Sequence, residues 1–114
     1  KGEKLRFYVL ILANELKPFL EYQKKVIERE FPYSLEKAGC EIERLTIGEK
    51  YMELVFLIPV RADIKQALDK VINECNQYGN FLSQVFTITN VKELSAEEVE
   101  EIIKKNGGNS QASH

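Results

Sequence analysis

The chain has 114 residues and a net charge of -2 from 16 basic and 18 acidic side chains, with 44% apolar and 10% aromatic residues. This is the size and composition of one globular domain, and it excludes collagen-like, mucin-like and wholly disordered chains. No whole-molecule basic field is available to attract nucleic acid or an anionic membrane.

Lys4 to Ala13 reads as the first strand. Leu5, Phe7, Val9 and Ile11 alternate with Arg6, Tyr8, Leu10 and Leu12, the period set by the pleat. The second face turns apolar partway along, so it too needs cover. Asn14 is placed to cap a helix from about that point to Ala38, with Pro18 in its first turn. Pro32 interrupts this helix, yet Phe31, Leu35 and Ala38 stay in phase with Ile27, which predicts one kinked helix or two pieces on one axis. Gly39 is its natural C-terminal stop.

Cys40 to Ile47, charged at alternate positions, reads as an edge strand. Gly48-Glu49-Lys50 turns into a third strand, Tyr51 to Val60, making a hairpin. Met52, Leu54, Phe56 and Ile58 share one of its faces; Tyr51, Glu53, Val55 and Leu57 share the other. Asp63 and Gln66 form a capping-box pattern before the helical stripe Ile64, Ala67, Leu68, Val71, Ile72, Cys75 and Tyr78. Gly79 closes it, and Phe81 to Thr89 is the fourth strand. Ser95 and Glu98 form a second capping box, opening a short acidic helix at about 95–105 with Val99, Ile102 and Ile103 on its stripe. Residues 107–114 read as a disordered tail, and 1–106 as a single domain.

The order β-α-β-β-α-β resembles the ferredoxin-like split βαβ architecture over residues 4 to 90. The resemblance is one of layout, and it extends to small archaeal proteins only in that sense. It implies an α+β, two-layer sandwich with a four-stranded antiparallel sheet in the order 4-1-3-2. Within that sheet the central pair, strands one and three, is expected to run parallel. Two helices cover one sheet face. Tyr8, Leu10, Leu12, Tyr51, Val55 and Leu57 on the other would form a patch larger than a monomer usually exposes. At about 1.5 Å per residue, a helix at 95–105 spans roughly 16 Å, too little for four strands. The expectation is therefore a homodimer through the open face, with Leu10, Leu12, Val55, Leu57, Val99, Ile102 and Ile103 at the interface, or a third helix reaching across.

The chemistry available is narrow. The only histidine is His114, and no CxxC, HExxH, GxGxxG or P-loop spacing occurs. Neither a metal site nor a cofactor is expected; Glu41 and Glu43 read as solvated edge charges. Cys40 and Cys75 read as packed thiols. The binding candidates are Arg6, Tyr8, Tyr51, Glu53 and Arg61, a guanidinium–phenol–carboxylate set beside an apolar floor that would suit a small organic anion. The leading expectation is a non-enzymatic binding or assembly module. The alternative is a cofactor-independent enzyme or small-anion sensor on the same face. RNA binding is set aside because Tyr51 to Leu57 lacks the glycines of an RNP-type strand and carries Glu53. No nucleic-acid or membrane partner is expected, since no apolar run nears ~20 residues. Two cysteines and no cleavable leader point to the cytoplasm. With 12 Lys against 4 Arg and 16 Glu against 2 Asp, the composition also carries a thermophile signal.

Overall fold

A computed structural model describes residues 2–90 and 92–112, with side chains through Gly107 apart from the undescribed positions. The elements are β1 (Lys4–Ala13), a 3-10 turn (Asn14–Leu16), α1 (Glu21–Lys37), β2 (Glu41–Ile47), β3 (Tyr51–Pro59), α2 (Ile64–Asn76), β4 (Leu82–Thr89) and α3 (Ala96–Ala112). The sheet order is β2-β3-β1-β4, the expected ferredoxin-like arrangement.

One directional expectation is corrected. β1 and β3 pair antiparallel, with Tyr8 opposite Val55 and Leu10 opposite Glu53. The crossover through α1 brings β2 back in the same direction as β1, and the β2–β3 hairpin then reverses the chain. β3 must therefore oppose β1, so the whole sheet is antiparallel.

The main core lies between the sheet and the α1/α2 layer. Val9 and Ile11 of β1 and Met52, Leu54, Phe56 and Ile58 of β3 meet Ile27, Phe31, Leu35, Leu68, Val71 and Ile72 there. α1 begins later than expected. Glu15 and Leu16 both have positive φ, at 58° and 55°. Pro18 then holds Lys17 extended. Asn14 caps no helix; its amide donates to the Asn80 carbonyl at 3.1 Å. α1 runs through Pro32 as one helix and ends before Gly39, whose φ of 87° suits glycine. Asp63 accepts from the Gln66 N–H, and the Ser95/Glu98 box closes in both directions.

A second, smaller core occupies the sheet's other face. Tyr8, Leu10, Val55 and Val99 are buried together, with Leu12, Tyr51, Leu94, Ile102 and Ile103 against them. The third helix of the same chain therefore covers the surface expected to form a dimer interface. The backbone stays helical to Ala112 instead of ending near Lys105. Seventeen residues span roughly 25 Å, and only the two central strands are apolar on this face, so four strands need no covering. Of the predicted tail, residues 113 and 114 lie outside the described residues.

Candidate functional site

The five predicted binding residues do not converge. Tyr8 and Glu53 do meet: the phenol donates to the Glu53 carboxylate at 2.6 Å. Tyr8 is only 2% exposed beneath α3, and burial, then the bond to Glu53, pushes its pKa far above the ordinary 10.0. This phenol is held neutral and out of reach. Arg6 turns away from Glu53 and pairs with Glu43 at 2.9 Å and Glu93 at 3.1 Å. Glu93 also pairs with Arg44. Tyr51 sits at the opposite end of the face, opposite Leu12. Its ring packs so tightly over Gly48 that a Cβ there would lie 2.5 Å from it. Arg61 is exposed beyond the end of β3, by Gly2, Glu3 and Val60.

The charged ladder therefore acts as a clasp. Glu93 lies in the connection between β4 and α3, and its two guanidinium partners tie that connection across β1 and β2. Of the expected interface, Leu10, Val55 and Val99 are buried within the protomer; Leu12, Ile102 and Ile103 are half-buried against them, and Leu57 is half-buried. Glu41 and Glu43 are committed to Lys4 and Arg6. Among the described residues, no group of three His, Cys, Asp or Glu is placed to hold a metal. Both cysteines are buried free thiols; burial raises Cys40 and pushes Cys75 up to about 12, with Glu30 next in effect on Cys75.

A different surface gathers aromatic and cationic groups. Helical spacing places Tyr22, Arg29, Tyr33 and Lys37 along the outward side of α1, opposite buried Ile27, Phe31 and Leu35. Tyr22 is 49% exposed and Tyr33 62%. The Lys37 ammonium lies 4.6 Å from the Tyr33 ring centre, and the Arg29 guanidinium 5.2 Å from that of Tyr78. Tyr22 donates to the Tyr78 carbonyl at 3.0 Å, linking α1 to the end of α2. Lys25 is exposed on the same side, while Arg29 is shared with Glu30 at 3.0 Å, and Glu28 and Glu36 flank the row. The ridge thus alternates cation and ring with local acidic neighbours. Sequence reasoning passed over it because the segment's charges nearly balance. The available signal was the spacing of 22, 29, 33 and 37.

At the Tyr22 end, the ridge meets a cavity of about 290 Å³. Asn14, Glu15, Lys17, Gln23, Asn80 and Phe81 contribute to its walls, with Gly79 between them. Gly79 has a φ of 128°, and a Cβ there would lie 3.3 Å from the Tyr22 hydroxyl.

No protein-family model matches the chain. No curated protein sequence matches it either. Among solved structures, it is similar to a candidate transposase from Deinococcus radiodurans R1, with a TM-score of 0.73, 12% identity and 92% of each chain covered. It is also similar to a REP-associated tyrosine transposase bound to a REP hairpin, with a TM-score of 0.62 and 13% identity. That match covers 89% of this chain and 62% of the other.

These likenesses establish a shared fold. They also correct two expectations. A homodimeric assembly module, or a small-anion enzyme or sensor on the open face, no longer follows: α3 occupies that face, and the fold's neighbours are transposases. Nor can a nucleic-acid partner be set aside from net charge and the RNP comparison, because a neighbour with this fold holds a REP hairpin. The homodimer through the open face falls because α3 of the same chain covers that face. For the membrane, no helix among the described residues is long and apolar enough to cross one.

Proposed function

We propose that this chain binds nucleic acid, specifically a DNA hairpin with adjoining unpaired nucleotides, as a transposase-like module. The observation that carries this reading is the ring-and-cation ridge of α1 and the end of α2. Tyr33 beside Lys37, and Tyr78 beside Arg29, each join a stacking surface to a phosphate partner. Bases that are not paired stack on tyrosine rings and guanidinium planes, and the cation offsets the accompanying phosphate. The fold likeness to a hairpin-bound transposase supports the class of ligand. A cytoplasmic setting accords with two buried free thiols.

The test is fluorescence anisotropy with a labelled DNA hairpin carrying a short single-stranded extension. The wild-type chain is expected to bind. Tyr33→Ala and Arg29→Ala are each expected to weaken binding about tenfold, since loss of a stacking partner costs about 1–3 kcal/mol. Circular dichroism checks that each variant is folded. Absence of binding, or binding indifferent to both substitutions in folded protein, overturns the reading.

A further inference from the structure

We infer that the cavity between the β1–α1 and α2–β4 connections receives one unpaired adenine or cytosine, recognised through its 6-amino or 4-amino group. This deepens the proposed nucleic-acid binding and rests on it for the source of the ligand. Four observations support the assignment.

The first is size. About 290 Å³ lies at the small end of ligand pockets, which begin at roughly 300 Å³, and suits a single flat ring system. The second is the polar lining. The Gln23 side-chain oxygen is used in accepting from the Leu20 N–H at 2.9 Å, which leaves its amide nitrogen as a donor. Asn80 contributes its backbone carbonyl to Asn14, and its side-chain amide makes no hydrogen bond among the described residues. An amide offers both donor and acceptor, the combination that pairs with adenine N7 and N6; a carboxylate such as Glu15 accepts from the cytosine amine. Lys17, 3.2 Å from Glu15, limits that carboxylate's repulsion and places a cation at the rim.

The third is the wall. Phe81 packs edge-on to Phe19, with ring centres 6.1 Å apart, which fixes an aromatic boundary. Gly79 keeps the neighbouring wall free of a side chain at a φ of 128° that few others adopt. The fourth is the backbone. Glu15 and Leu16 are successive non-glycine residues in the left-handed region, a conformation that persists only where its surroundings enforce it. Here the enforcement is visible: Asn14 N–H bonds the Phe81 carbonyl at 2.7 Å and Phe19 N–H bonds the Glu49 carbonyl at 2.9 Å. The strained turn holds Glu15 and Lys17 at the cavity rim. The Tyr22–Tyr78 contact joins this cavity to the ridge, so one strand could run along α1 and end with a base inside.

Two measurements on the full chain test this. In the first, the anisotropy hairpin carries adenine or thymine as the terminal unpaired base, and Asn80→Ala is compared with wild type on the adenine hairpin. Binding is expected to weaken about tenfold in the variant, the loss of one good amide–base pair. The wild-type preference for adenine over thymine is expected to disappear in the variant. In the second, adenosine, cytidine and thymidine monophosphates are titrated against labelled protein by NMR. The first two are expected to shift the amides of residues 14–23 and 79–81, and thymidine monophosphate to shift them less. Hairpin binding with no preference between adenine and thymine and no nucleotide shifts at these residues overturns the cavity assignment and leaves the ridge reading intact. Nucleotide shifts there without hairpin binding overturn the ridge reading and support the cavity. Equal shifts from all three nucleotides overturn the amine preference.

Discussion

Replacing Val99 by Asp is expected to release α3 from the sheet without unfolding the rest of the molecule. Val99 is 4% exposed and is the α3 residue most deeply set into the smaller core. Full burial of a side chain of this class is worth about 1.5–3 kcal/mol. The substitution removes that gain and would force an unpaired carboxylate against Leu10 and Val55, costing several kcal/mol more if the helix stayed docked. The remaining apolar anchors, Leu94, Ile102 and Ile103, are only half-buried, and the Glu93 clasp is formed by half-exposed charges, where ion pairs contribute little. Undocking is therefore the cheaper response. The main core shares none of these residues: Phe31, Leu54, Phe56 and Ile72 lie on the opposite side of the sheet. Hydrogen exchange followed by NMR should show α3 amides losing protection while α2 and the β1–β3 ladder keep theirs. An alkaline absorbance titration offers a second readout. In wild type one phenol, Tyr8, is expected to lag behind ordinary tyrosine ionisation, and that lag should vanish in Val99→Asp and in Tyr8→Phe alike. Retained α3 protection, or loss of protection everywhere in a single step, would refute a separately docked helix.

Three further outcomes are expected. Stability should be complete below about pH 9 and fall as pH rises, because Tyr8 and Cys75 keep their protons to higher pH when folded, Cys75 to about 12, while the unfolded chain releases them near 10.0 and 9.0. Urea melts at stepped pH would measure this, and an equally steep decline in a Tyr8→Phe, Cys75→Ala double variant would remove these groups as the cause. Gly48→Ala should cost about 1 kcal/mol by pushing a Cβ into the Tyr51 ring, and less when Tyr51 is also Leu; additive costs in thermal melts would rule out that contact. Ser95→Ala should fray the start of α3 by about 1 kcal/mol, read as faster exchange at Glu98 and Val99 than elsewhere in the helix.

The sheet was legible because period-two alternation is a local property. Met52, Leu54, Phe56 and Ile58 declared one face of β3 and all four enter the main core, while Tyr51, Glu53 and Val55 declared the other. What covers that second face was not legible. Val99, Ile102 and Ile103 announced an amphipathic helix, but which surface it meets is fixed by the fold, which also brings Glu93 of the preceding connection to Arg6 of β1 and Arg44 of β2. Tyr8 and Glu53 were correctly placed on a common face. Their hydrogen bond seals each to the other, and burial removes the phenol from solvent. The later start of α1 was hidden for a different reason. Asn14 is a good cap by type, and only its bond to the Asn80 carbonyl, from a distant loop, draws it away from that role.

Net charge alone does not exclude the proposed nucleic-acid partner, and the fold explains why. The acidic run Glu97, Glu98, Glu100 and Glu101 belongs to α3, which lies on one face of the sheet. The ridge of Arg29, Lys37 and their tyrosines belongs to α1, which lies on the other. A sheet with a helix packed on each side separates two helix axes by roughly 20 Å, taking about 10 Å per packed layer. The Debye length at physiological ionic strength is about 8 Å. Charges on α3 are thus screened before they reach the far side of α1, and a strand lying there meets the local groups: three cations, three rings and the flanking carboxylates Glu28, Glu30 and Glu36. A total of -2 sums across two surfaces that act almost independently. The relevant quantity for binding is the arrangement within one Debye length of the ridge. In the proposed binding, stacking on Tyr33 and Tyr78 would supply there the attraction that a diffuse basic field supplies elsewhere.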